Sequence, residues 1–228
     1  MPKININSSL SNYQSFIKEV YSLPNDRYFN AEDMLANIER FVMRALKGIR
    51  KNDSQKTKNN LLIAQSWFMS LMNQFHIDIE SAVWQRFPYV CSYCGKLPCE
   101  CKSKKVKKRQ KITINNKLRP KTLQDLQTMF EKIYPLKSRT IEQAGIHLAE
   151  EMGELAESCL SFRGSHNNKI FDQIPLESAD LFSCFMGVFN SLNLNIATEL
   201  SKMFKNNCHV CKKSPCECSF NNIMNYRS

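Results

Sequence analysis

The chain has 228 residues, 43% hydrophobic and 23% charged, a balance that supports a buried core and excludes a disordered chain. Its net charge of +11 is concentrated: residues 102–121 hold ten Lys or Arg and no acid, which leaves the rest at +1. The six glycines form neither GxGxxG nor GxxxxGK, so both glycine-rich phosphate cradles are excluded. No apolar run approaches the roughly 18 residues of a membrane span. The start, MPKININSSL, lacks the apolar region of a signal peptide. A soluble, cytoplasmic protein is expected, with no membrane partner.

In chain order, SLSNYQSFIKEVYSL (9–23) predicts a first helix with Ser9 as N-cap, since a hydroxyl there accepts from the free first-turn amides. An apolar segment at 62–91 runs into a first cysteine cluster, Cys91, Cys94, Cys99 and Cys101, within CSYCGKLPCEC. The basic stretch follows. TLQDLQTMFEKIYPL (122–136) then predicts another helix, with Thr122 as N-cap and Leu123, Leu126, Phe130 and Ile133 at three- and four-residue steps. Further helices are predicted near 139–161 and 171–192, with a shorter one over about 194–206. A second cluster, Cys208, Cys211, Cys216 and Cys218, lies in CHVCKKSPCEC. No stretch alternates with period two, so no sheet is predicted.

The two clusters share the spacing C-x2-C-x4-C-x-C and the ending PCEC, displaced by 117 residues. The same displacement lays 62–91 over 179–208, matching Phe68 with Phe185, Met69 with Met186 and Ile77 with Leu194. Upstream, 9–23 matches 122–136 at a displacement of 113, which places a short insertion near RGSHNNK (163–169). The expected architecture is all-α: two duplicated helical units, 1–102 and 119–228, joined by a basic linker at 103–118. They would pack as a pseudo-dimeric bundle, each unit ending in a small four-cysteine metal knob.

Ten cysteines in a chain without a secretion signal argue against a disulfide framework. Four thiolates within eleven residues suffice for one tetrahedral Zn2+ in a structural role, and two structural Zn2+ are expected. An iron–sulfur cluster is the alternative. Cys159 and Cys184 fall outside the clusters on apolar helix faces and read as core residues.

The acids at HLAEEMGELAE (147–157) and PLESADLF (175–182) carry the sharpest chemistry. At 100° per residue Glu150, Glu151 and Glu154 leave one side of their helix, beside a stripe of Leu148, Met152 and Leu155. Glu177 and Asp180 share one side of the next helix, which is otherwise strongly apolar. Carboxylates there are costly to bury without a compensating cation, and few nearby Lys or Arg offer one. Together they can supply oxygen ligands to a hard cation such as Mg2+ or Mn2+.

The pattern E-E-x-x-E, 22 residues, then E-x-x-D, with GELAE, SADLF and SKMFKN around it, resembles the MazG-like all-α nucleoside triphosphate pyrophosphohydrolases, relatives of the dimeric dUTPases. The resemblance covers about 122–207, and its copy at 9–90 weakly. It implies hydrolysis of an NTP or dNTP to the monophosphate and pyrophosphate. By motif, Glu151, Glu154, Glu177 and Asp180 would bind Mg2+, and Glu150 would hold a second metal or position the attacking water. Lys202 and Asn206 would bind the substrate's phosphates, although Asn207 stands where relatives usually carry Arg.

In the first copy Arg40 and Met43 lie opposite Glu151 and Glu154, Asn60 and Ile63 opposite Glu177 and Asp180, and Gln85 and Tyr89 opposite Lys202 and Asn206. No metal site is predicted there, and the first unit is expected to be a scaffold in place of a second subunit. The alternative is a non-catalytic zinc-knob protein that binds nucleic acid or another polyanion through 102–121. Further homo-oligomerisation is left open.

Overall fold

The protein's structure, a computed structural model, describes residues 3–227, apart from the side chain of Ser138. Among these residues every regular element is helical. The first half contains α1 (Leu10–Tyr28), α2 (Ala31–Arg50), α3 (Ser54–Gln74) and α4 (Ile79–Arg86), then the first cysteine knob and a single turn, α5 (Cys101–Lys104). The second half contains α6 (Leu123–Ile133), α7 (Ile141–Ser165), the short α8 (Asn168–Phe171), α9 (Ile174–Ser191) and α10 (Ile196–Met203), then the second knob and α11 (Phe220–Met224). None of these helices is long and apolar enough to cross a membrane.

The N-caps are where the sequence puts them. Ser9 and Asn12 form a capping box on α1, and Thr122 and Asp125 form one on α6, satisfying first-turn amides that a helix cannot bond internally. Similar glutamine bonds occur in the two halves. Gln14 on α1 donates to the Ile77 carbonyl at 2.7 Å and accepts from the Ile79 amide at 3.2 Å. Gln127 on α6 donates to the Leu194 carbonyl at 2.7 Å and accepts from the Ile196 amide at 2.9 Å. Each glutamine thus pins the first helix of its half to the start of the last helix before the knob.

The core runs continuously through both halves. Phe68 on α3 and Phe185 on α9, both fully buried, meet at 6.1 Å between ring centroids. Where α7 crosses α2, Gly145 faces Leu46 and Ile49, and a Cβ there would press into both side chains. The packing also exchanges parts between the halves. α4 lies against α9. The first knob bonds to α6, through the Cys99 amide and the Ile133 carbonyl at 2.8 Å. The second knob bonds to α1, through the Cys216 amide and the Val20 carbonyl at 2.7 Å.

The basic stretch, expected as a linker, is tied to the rest of the chain at several points. The Gln110 amide donates to the Tyr93 carbonyl at 2.8 Å, and Arg109 donates to the Ser92 carbonyl at 3.1 Å. Farther along, Asn116 accepts from the Trp84 indole at 2.8 Å, and Arg119 donates to Glu80 at 3.3 Å. The segment is a strap laid over the first knob and α4, because its backbone and long side chains find carbonyls and carboxylates there.

Candidate active site

On α7, Leu148, Met152 and Leu155 are buried in the core, which leaves Glu151 on the stripe's edge. On α9, Leu181, Phe182 and Phe185 are buried likewise, and Glu177 and Asp180 emerge one turn apart on the side facing Glu151. Carboxylate oxygens of Glu151, Glu177 and Asp180 lie within 4.8 Å of one another. Three of the four expected Mg2+ ligands therefore converge. Glu154 is exposed one turn along α7, outside that triad. Glu150 is also exposed and faces His147, with 3.6 Å between Nε2 and a carboxylate oxygen.

The cation that the local sequence lacked comes from the other half. Arg86, at the end of α4, donates from Nε to both carboxylate oxygens of Asp180 at 3.0 Å and pairs with it again through a terminal nitrogen. One arginine cannot neutralise three carboxylates. Burial, then the charges of Asp180, Glu154 and Glu177, push the Glu151 carboxyl up to about 7 against the pull of Arg86. Burial, Asp180 and Glu154 also raise Glu177, opposed by Arg86 and Arg109. Glu151 Oε2 is buried without a hydrogen-bond partner. Glu151, Glu177 and Asp180 could together hold a metal ion, which would supply the missing charge and take that orphaned oxygen as a ligand.

Above the triad opens a cleft of about 640 Å³. Glu151 and Asp180 form part of one wall, and the first knob forms the other, with Tyr93, Cys99 and Cys101. Tyr134 on the cleft floor donates its hydroxyl to Cys91 Sγ at 3.6 Å. Three cations line the same space: Lys102, Arg109 and Arg139. Arg139 lies over the Tyr134 ring, 5.9 Å from its centroid, and against Gly187 of α9, where any Cβ would collide with the guanidinium.

Lys202 and Asn206 do not line this cleft. Lys202 donates to Glu199 at 2.7 Å, and Glu199 also pairs with Lys58 of α3 at 2.8 Å. The resemblance would have Lys202 and Asn206 bind the substrate's phosphates; here α4, not α10, lies beside α9, and α10 packs toward α6 and α3, so the two residues stand apart from the acidic cleft. Asn206 is exposed.

The corresponding region of the first half is closed. Asn60 is fully buried and donates to the Lys56 carbonyl at 2.7 Å, and Ile63 is buried too. The space between α3 and the second knob is only about 60 Å³, lined by Ile63, Ser66, Trp67 and His209 together with Ile223 and Tyr226 of the C-terminal segment. Arg40 and Arg44 both donate to the Tyr226 carbonyl, at 2.9 and 3.2 Å.

In each knob the four sulfurs lie within 4.8 Å of one another. Individual pairs are 3.7 Å (Cys91–Cys101), 4.0 Å (Cys94–Cys99), 3.9 Å (Cys208–Cys218) and 3.8 Å (Cys211–Cys216). A tetrahedron with metal–sulfur bonds of about 2.3 Å has edges of about 3.8 Å, whereas a disulfide needs about 2.05 Å. The spacing suits one ion per knob, and either could hold zinc. Backbone amides support the negative sulfur: Tyr93 and Glu100 donate to Cys91 and Cys94, and Val210 and Glu217 to Cys208 and Cys211, all at 3.4 Å. The hydrogen bond from Cys216, against the cost of burial and with the Val210 and Cys211 amides, pulls the Cys208 thiol down to about 4. Cys159 is buried in the core, and Cys184, also buried, borders the cleft.

In comparisons with known proteins, no family model, no curated protein and no solved structure matches this chain.

Proposed function

We propose that the protein is a metal-dependent nucleoside triphosphate pyrophosphohydrolase, cleaving an NTP or dNTP to the monophosphate and pyrophosphate, as its resemblance to the MazG-like enzymes suggests. One observation carries this reading: three converging carboxylates, one with an orphaned buried oxygen, at the foot of a cleft whose remaining charged groups are mainly cations. Glu151, Glu177 and Asp180 would hold Mg2+ or Mn2+, which when bound neutralises triphosphate charge and makes a water more acidic. Glu154, exposed beside them, is the carboxylate free to complete the ion's shell or to orient the water. Overall, water adds across the bridge between the α- and β-phosphorus, the bridging bond breaks, one proton is released to solvent, and the monophosphate and pyrophosphate separate. The chain's own task is positioning, with acids below and cations around the phosphates.

Zinc in both knobs is part of the same proposal, as a structural ion with no open coordination position. The test is pyrophosphate release from a panel of NTPs and dNTPs with Mg2+ or Mn2+. Release that Glu154→Gln or Asp180→Asn abolishes is the expected outcome, and no cleavage by the folded, zinc-loaded chain would sink the proposal. A second reading, nucleic-acid binding through the strap, draws on the exposed Lys104, Lys105, Lys107 and Lys108. It requires strongly salt-dependent DNA or RNA binding that vanishes when 102–121 is neutralised.

A further inference from the structure

We infer that Lys102 and Arg109, carried on the basic strap and held by the first cysteine knob, grip the outer phosphates of a polyphosphate ligand, making the knob a wall of the binding site. The inference deepens the proposed function and rests on its reading of the acidic triad as an ion site. Nothing in the sequence resemblance includes a knob or a strap, so the assignment comes from geometry.

Both cations line the cleft that Glu151 and Asp180 border, and the charge of Arg109 reaches Glu177. Arg109 is not a loose surface side chain. It donates to the Ser92 carbonyl at 3.1 Å, and its guanidinium lies 5.6 Å from the centroid of the Tyr93 ring. The next residue fastens the strap, through the Gln110 amide and the Tyr93 carbonyl at 2.8 Å. The knob is itself fastened to α6 by the Cys99 amide, so these contacts fix the guanidinium relative to the acids. A guanidinium has five N–H donors in a planar fork that suits phosphate oxygens, and one bond to Ser92 leaves most of them for a ligand.

The charge layout selects the ligand class. The carboxylates call for a cation, while Lys102, Arg109 and Arg139, lining the same cleft, call for several anionic oxygens. A chain of phosphates with an ion at one end meets both demands, and a ligand with a single negative charge meets only one. Two other strap lysines, Lys107 and Lys108, are exposed and do not line the cleft, which provides an internal control of equal charge.

The experiment is calorimetric titration of the full-length, zinc-loaded protein with inorganic tripolyphosphate in Mn2+, alongside a titration with Mn2+ alone. Lys102→Ala with Arg109→Ala should weaken tripolyphosphate binding by about 10- to 100-fold, the loss expected for one or two charge-assisted hydrogen bonds. Lys107→Ala with Lys108→Ala should leave it within about twofold at matched ionic strength. Lys102 and Arg109 are exposed; because Arg109→Ala also removes the bond to the Ser92 carbonyl, zinc content and melting temperature should match those of the native chain, and the titration with Mn2+ alone should show the ion still bound in every variant. Unchanged binding in the first variant, an equal loss in both, or no binding by the native chain would each overturn the inference. If the native chain binds tripolyphosphate through Lys102 and Arg109 but binds no Mn2+ by itself, the phosphate wall is upheld and the ion site of the proposed function fails.

Discussion

The two clefts differ in what the chain does after each knob. Past Cys101 it lays a basic strap along the knob and leaves a space of about 640 Å³ bordered by Glu151, Asp180 and three cations. Past Cys218 it turns into α11 and sends Ile223 and Tyr226 into the other cleft, leaving about 60 Å³. The helices beneath follow suit: α9 offers Glu177 and Asp180, while α3 offers Asn60 and Ile63 at the matching positions. Arg40 lies opposite Glu151 in sequence and spends its guanidinium on the Tyr226 carbonyl. A polar cleft can stay open where its charges await a ligand, whereas an apolar one is filled by the chain's own tail, since exposed apolar surface is costly.

The two halves should differ most at the acids. Glu177→Gln with Asp180→Asn should lower pyrophosphate release by about 10²-fold or more. Asn60→Ala, which removes the bond to the Lys56 carbonyl in the closed half, should leave release unchanged and cost about 1–2 kcal/mol in denaturant unfolding. Equal effects of the two changes on release would mean that the halves share the chemistry.

Metal removal separates the knobs. Cys101→Ser should lower bound zinc from two ions per chain to one and weaken substrate binding, because Arg109 loses its support on the knob. Cys218→Ser should lower zinc by the same amount yet act chiefly on melting temperature, because that knob abuts only the closed cleft. Metal analysis with melting curves and KM measurement distinguishes these outcomes.

A smaller effect is expected at the plug. Tyr226 touches the rings of Phe41 and His209, at 6.5 and 5.0 Å between centroids. Tyr226→Ala should destabilise the chain by roughly 1–3 kcal/mol with kcat unaltered, as read by denaturant melts and steady-state kinetics. The mildest change is Gly187→Ala. Its Cβ collides with the Arg139 guanidinium, the mobile end of a long side chain, so Arg139 should shift and KM rise about three- to tenfold at near-constant kcat.

Much of the frame was legible in the sequence because it is written locally. Ser9 and Thr122 announce their helices by capping chemistry, and the acids announce their shared face through i,i+3 spacing on strongly apolar helices. The cysteine clusters are complete within eleven residues, so their convergence needs no knowledge of the fold. What the sequence hid is what depends on packing between distant segments. Arg86 reaches Asp180 across 94 residues because α4 lies on α9. The partner of Lys202 was hidden for the same reason: the motif would place it on the substrate's phosphates, while in the fold it pairs with Glu199. The strap's composition reads as a basic linker, and bonds to the Ser92 and Tyr93 carbonyls lay it against the first knob.

The proposed function requires that one half of the molecule hold a catalytic divalent ion and that the other hold none. Electron paramagnetic resonance of Mn2+ titrated into the zinc-loaded chain tests this most directly. A tightly held Mn2+ signal that disappears in Glu177→Gln with Asp180→Asn, and persists in Asn60→Ala, is the expected result. Absence of bound Mn2+ in the native chain, or a signal indifferent to those carboxylates, would contradict it.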